Sequence, residues 1–199
     1  MNIFWLSVNT IQNANLYNDQ HVIKIILEIC QCLMSAMHHH ARVYKDDRWQ
    51  VGMTKIYKMA HKHHPVVLWI TEHPNNFKAA SIQALSLCVE YTKRNGKTHA
   101  CQELIIQLMA RVPQDEIAVP YKAGCVRATI NIPIGCTPVP LCMPIGFIVY
   151  IGDQADLTAS YINFYRHKKL RFDSGRVCTW PVGSVPQIFL QDYQKIISE

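Results

Sequence analysis

Five polar side chains in the first long helical stretch, His21, Lys24, Glu28, Gln31 and Ser35, follow steps of three, four, three and four. At about 100° per residue they fall within an arc of roughly 80° on one helix face. Nearly everything else between Val22 and Met34 is apolar, so the helix is expected to lie buried among neighbours with one narrow polar groove. An imidazole, an ammonium and a carboxylate one turn apart make an acid, base and nucleophile set if that groove lines a cleft. If it meets open solvent instead, Lys24 and Glu28 form an ordinary i,i+4 pair contributing a few tenths of a kcal/mol. A second stretch carries Gln83, Ser86, Glu90 and Arg94 at three, four and four, with Lys97 and His99 just beyond. Glu90 and Arg94 read equally as a structural pair; taken with the first stripe, they predict two polar faces of both signs turned toward each other.

Histidine is abundant, at ten residues, with His38, His39 and His40 in one run and His61, His63 and His64 in another. A triple run cannot place all its members on one helix face, and no cysteine or carboxylate stands at zinc-ligand spacing, so no metal is expected. His61 and His64 precede Pro65, where the chain must turn; they project into a shared cleft or belong to a polar loop. No phosphate-binding glycine loop, GxSxG elbow or dinucleotide fingerprint is present, and no cofactor is expected.

The elements that would hold these groups are mostly helical. A short strand or extended segment is expected over residues 2 to 8, and a helix from about Ala14 to Met37, where Val22, Ile25, Ile26, Ile29, Leu33 and Met37 recur at three and four. A short helix is expected from Thr54 to His61, stopped by Pro65. Further helices are predicted from about Pro74 or Asn75 to Arg94 before the Asn95–Gly96 stop, from a Thr98 cap through about Arg111, from about Asp156 to Lys169, and near Leu190 to Ile197. Residues 113 to 152 are rich in Pro and Gly and predict an irregular segment over the helical core, the kind of long loop that often serves as a lid. The fold class is therefore mainly α, a single domain over residues 1–199 with at most a small sheet.

Composition sets the surroundings. At 49% hydrophobic and 17% charged, the 199 residues are those of a globular protein able to bury a core. The eight cysteines form no CxxC pair, so free thiols in a reducing compartment are expected. MNIFWLSVNT lacks the marks of a signal peptide and no uninterrupted apolar run reaches about 18 residues, which points to an intracellular protein without a membrane partner. The net charge of +6, with clusters at Lys93, Arg94 and Lys97 and at Arg166, Lys168, Lys169 and Arg171, favours a polyanionic partner or else a merely basic surface.

The segments NIFWLS, NDQHVIKIILEICQ, HKHHPVVLWITEHPNN, LCVEYTKRNGKTHACQ, CMPIG and SYINFYRHKK, with a tryptophan near the end, resemble in content and order a family of small proteins from tailed phages and other large DNA viruses, some labelled pyrimidine dimer DNA glycosylase. The family's first motif reads approximately D-K-H-V-V-K-M, matched here at His21 and Lys24, with Gln20 replacing the preceding lysine. His64, Pro65 and Trp69 match, as do Glu90, Tyr91, Arg94, Gly96, Lys97 and His99, whereas Asn163 stands where the family has arginine. The resemblance implies a viral enzyme of the host cytoplasm or nucleus acting on DNA or a nucleotide. In a glycosylase, Lys24 would attack the sugar C1′, Glu28 or Glu90 would stabilise the oxocarbenium-like charge, and His21 and His64 would move protons. Arg94, Lys97, His99 and Lys168 would hold phosphate. The rival is a non-enzymatic module that binds nucleic acid or captures a nucleotide signal of host defence in the same pocket.

Overall fold

Two asparagines divide the first helical stretch. The Asn9 side chain accepts hydrogen bonds from the amides of Ile11 and Gln12 and opens α1, Thr10–Leu16. Tyr17 then turns extended, and Asn18 caps α2, Asp19–Tyr44, by accepting from the His21 amide. The single helix expected from Ala14 to Met37 is thus two, and the second runs on through the histidine run until Lys45 takes a left-handed φ of 53°. The computed structural model describes residues 2–172, 174–181 and 183–198.

Residues 2 to 8 form no strand. Residues 3 to 6 are buried and extended, but their backbone is satisfied by side chains: Asn13 Oδ1 accepts from Leu6 N, and Tyr17 Oη accepts from Phe4 N while donating to Phe4 O. With Asn13 of α1 and the following Tyr17 supplying those partners, no ladder is needed.

Pro65 begins a helix rather than ending one. α3, Pro65–Glu72, has His64 as its N-cap, and Pro at the first position loses nothing because that N–H would have no helical acceptor. The expected helix over Thr54 to His61 is irregular chain. After His73, which caps the next helix with its own side chain, α4 spans Pro74–Asn95 and stops at Gly96, whose φ of 67° suits glycine. α5, Gln102–Met109, is two turns long and starts after Thr98, where the cap was expected. α2 packs most extensively on α4 and α3, with α5 against α4. An 18-residue window of α2 is apolar enough to cross a membrane, with 67% of it buried inside the fold.

The Pro- and Gly-rich region is largely irregular, as its composition predicts. It holds two antiparallel pairs: β1, Arg127–Ala128, with β2, Val139–Pro140, and β3, Val149–Ile151, with β4, Gln154–Asp156. Glu72 at the end of α3 ties this region down, accepting from Arg127 and Thr137 through one oxygen and from Tyr121 Oη, 2.5 Å away, through the other. α6, Leu157–Lys168, and α7, Gln187–Ile197, complete a fold that is mainly α, with seven α-helices among the described residues. Tyr161, Phe164 and Tyr165 of α6 lay an aromatic face over Phe4.

Candidate functional site

The polar seam of α2 is covered piecemeal. His21 is 5% exposed, stacked on Phe4 with ring centroids 4.9 Å apart, and its Nδ1 lies 2.8 Å from Tyr165 Oη. One turn on, Lys24 keeps 68% of its side chain exposed and approaches Glu28 at 3.5 Å. Glu28 is mostly covered and accepts from the Asn2 amide at 2.9 Å. Gln31 is half-buried, whereas Ser35 is sealed against the 54–61 chain, donating to Ala60 O and accepting from Ala60 N. The groove is therefore enclosed at both ends and open at its middle.

Hydrogen-bond accounting fixes the His21 tautomer. Tyr165 Oη accepts from the Asn18 amide, and among the described residues its own proton has no acceptor except His21 Nδ1. Tyr165 is fully buried, where an unbonded hydroxyl is costly, so O–H donates to Nδ1 and the imidazole proton sits on Nε2. Nε2 makes no hydrogen bond among the described residues and is not sealed from solvent. Burial pushes the His21 pKa down to about 3, reinforced by the ammonium groups of Lys169 and Lys24. His21 thus carries an uncharged N–H donor within the influence of two cations. Lys169 also stands over the Phe164 and Phe4 rings, at 5.1 and 5.9 Å, and Phe147 flanks Phe164 at 5.2 Å. Phe4 and Phe164 are buried and Phe147 is half-buried, so the ammonium groups, rather than the rings, are what this face offers a ligand.

His64 lies on the same side. As the α3 cap, its Nδ1 accepts from Val66 N at 3.2 Å, and it lines a cleft of about 590 Å³ with Lys122, Cys125, Leu141, Cys142 and Met143. Burial lowers its pKa, while Glu28 opposes that shift. Asn2 joins this cleft to the seam: it donates to Cys142 O and to Glu28, and accepts from Tyr161 Oη. His21, Lys24, Glu28 and His64 therefore line one side of the molecule.

Glu90 lies elsewhere. Arg94 is 7% exposed, and its guanidinium is spent on Glu90 Oε1 at 2.6 Å, Asp19 Oδ1 at 3.0 Å and the carbonyls of Tyr17 and Asn15. Ser86 meets Thr10 of α1, and Gln83 is sealed with neither amide atom bonded among the described residues. The two polar stripes therefore do not face each other: that of α4 clamps α1 and the corner leading into α2, while that of α2 meets the N-terminal segment, α6 and the 54–61 chain. Lys97 and Lys168 are exposed, and His99 is half-buried, with Nδ1 accepting from Cys101 N. The described residues hold no cluster fit for a metal ion. Tyr165, Lys169 and Phe4 are what the stripe on α2 could not reveal, standing 144 and 148 residues after His21 and 17 before it. Comparisons with family models, curated proteins and solved structures find no match.

Proposed function

We propose that this protein binds the phosphate-bearing part of DNA or of a nucleotide on the face where Lys24, Lys169 and the uncharged His21 meet. The observation that supports this is the His21 tautomer, which leaves an uncharged N–H donor within the influence of two ammonium groups. Such a trio recognises an anion by charge and one directed hydrogen bond. The resemblance to phage proteins and the net charge of +6 point the same way.

Base excision is a second reading, favoured by the 3.5 Å approach of Lys24 to Glu28. In it, the Lys24 amine bonds to C1′, the C1′–base bond breaks, and the base leaves with its bonding pair and takes up a proton. A nucleophilic amine has to be deprotonated, which burial favours, yet Lys24 is 68% exposed, so in this reading the bound strand itself covers it. One experiment separates capture from turnover. The protein is incubated with damaged and undamaged duplex and with mononucleotides, and borohydride is added. Retention without a trapped adduct supports capture. An adduct lost in Lys24→Gln supports excision, and no retention of any of these at low salt overturns both.

A further inference from the structure

The cleft beside His64 carries two thiols that the phosphate face does not use. Cys125 and Cys142 both line it and both are half-buried, whereas five of the other six cysteines are buried.

The two are also cross-strand neighbours. β1 pairs with β2 as Arg127 with Pro140 and Ala128 with Val139. Leu141 N donates to Val126 O at 3.0 Å, which carries the same register one step outward and makes 126 and 141 a hydrogen-bonded position. The next pair outward is Cys125 and Cys142, opposite each other at a non-hydrogen-bonded position, where both side chains leave on the same face of the ladder. Residues so placed in antiparallel strands have Cα atoms about 4.5 Å apart, within the roughly 4.4–6.8 Å that a disulfide spans. Their nearness shows independently in the electrostatics: charge on Cys125 is felt at Cys142, and charge on either is felt at Tyr161.

The two backbones are held differently. The Cys142 carbonyl accepts from Asn2 Nδ2 at 2.9 Å and its amide donates to Tyr161 Oη at 3.5 Å, which gives this residue a fixed seat. Cys125 closes an exposed turn in which its amide donates to Lys122 O and Gly124 takes a φ of 80°. Burial pushes the Cys142 thiol up to about 12; Cys125 is less covered, and the Arg127 guanidinium opposes its upward shift. Cys125 is therefore the more readily ionised of the two and the first to attack an incoming electrophilic sulfur.

We propose that Cys125 and Cys142 form a reversible disulfide by exchange with a low-molecular-weight disulfide that enters the cleft. The Cys125 thiolate bonds to one sulfur of that molecule, whose S–S bond breaks, and the departing thiolate takes up a proton. Cys142 then loses its proton to water and bonds to the Cys125 sulfur, expelling the second small thiolate, which is protonated in turn. The protein gives up two electrons and two protons, and the small disulfide becomes two thiols. Closure joins the two arms that wall the cleft, so oxidation fixes that wall. The inference uses none of Lys24, Lys169 and His21, and holds whether or not their face binds phosphate.

The test equilibrates the full chain with oxidised glutathione in the absence of denaturant, blocks the remaining thiols with iodoacetamide and maps linked peptides by mass spectrometry. The expected result is a Cys125–Cys142 link, with loss of two of the three thiols that are not buried, Cys136 left free, and recovery of both on adding dithiothreitol. Cys142→Ser should stop at a mixed disulfide on Cys125, and in Cys125→Ser the remaining Cys142 should react at least about tenfold more slowly than Cys125 does. An unchanged thiol count, a stable mixed disulfide in the unaltered chain, a link through Cys136, or a Cys125–Cys142 link that forms only in urea would overturn the assignment. Mapping the unaltered chain needs no variant, so a folding defect cannot obscure it.

Discussion

At the scale of single residues, His21 carries the clearest consequence. Its folded pKa of about 3 lies below the ordinary 6.5, so between those values the unfolded chain binds a proton that the folded one refuses. Its contribution is full above pH 6.5 and is lost as pH falls toward 3, with a slope of at most about 1.4 kcal/mol per pH unit. Urea midpoints taken at pH 7 and pH 4.5 should therefore drop, and His21→Gln should flatten the drop; an equal drop in both would contradict the assignment. Arg94 makes a second case. Arg94→Met leaves the Glu90 carboxylate buried with Lys93, at 3.7 Å, as its only ion-pair partner among the described residues, and should cost about 3 kcal/mol in equilibrium unfolding. Adding Glu90→Gln should restore a large part of that, since the stranded charge is gone. The position of His21, Lys24 and Glu28 on one face is legible from spacing alone. Whether the face is covered is not, because the groups covering it come from residues 2, 4 and 165.

At the scale of elements, proline shows what periodicity misses. Pro65 and Pro74 each follow a histidine whose Nδ1 accepts the amide two residues on, from Val66 at 3.2 Å and Asn75 at 3.0 Å. The pair His-Pro is thus a helix start here, and reading Pro65 as a stop placed a helix on the wrong side of it. α4 and α6 were legible because an apolar face at three and four coincides with capping residues, Gly96 after one and Asp156 before the other. The N-terminal segment takes the second of its two expected forms, extended chain rather than strand, because its hydrogen-bond partners are the side chains of Asn13 and Tyr17, which no pattern of propensities encodes. His73→Ala should lower stability by about 1 kcal/mol, and His73→Asn, a good cap, should restore it; urea titration of the two variants checks this. Glu72 anchors the Pro- and Gly-rich region, so Glu72→Ala should free residues 116 to 140 for cleavage. Limited proteolysis at native concentration would show new cuts there while α2 and α4 stay intact.

At the scale of the molecule, charge and thiols are the collective properties. If Lys24 and Lys169 each meet a phosphate, the plot of log affinity against log salt for an oligonucleotide should lose about one unit of slope per lysine replaced by glutamine. An unchanged slope in both variants would move the polyanion contact elsewhere on the basic surface. All eight cysteines are free, and five of them, Cys30, Cys32, Cys88, Cys101 and Cys178, are buried, so a native thiol assay should register no more than three fast equivalents. Tyr165 reaches back 144 residues to seat the His21 ring. During synthesis, α2 therefore emerges with its hydrophilic edge in place but without the aromatic cover that α6 brings. Until the last fifth of the chain has left the ribosome, the longest helix has no complete resting place, which marks nascent forms ending before α6 as clients for chaperones.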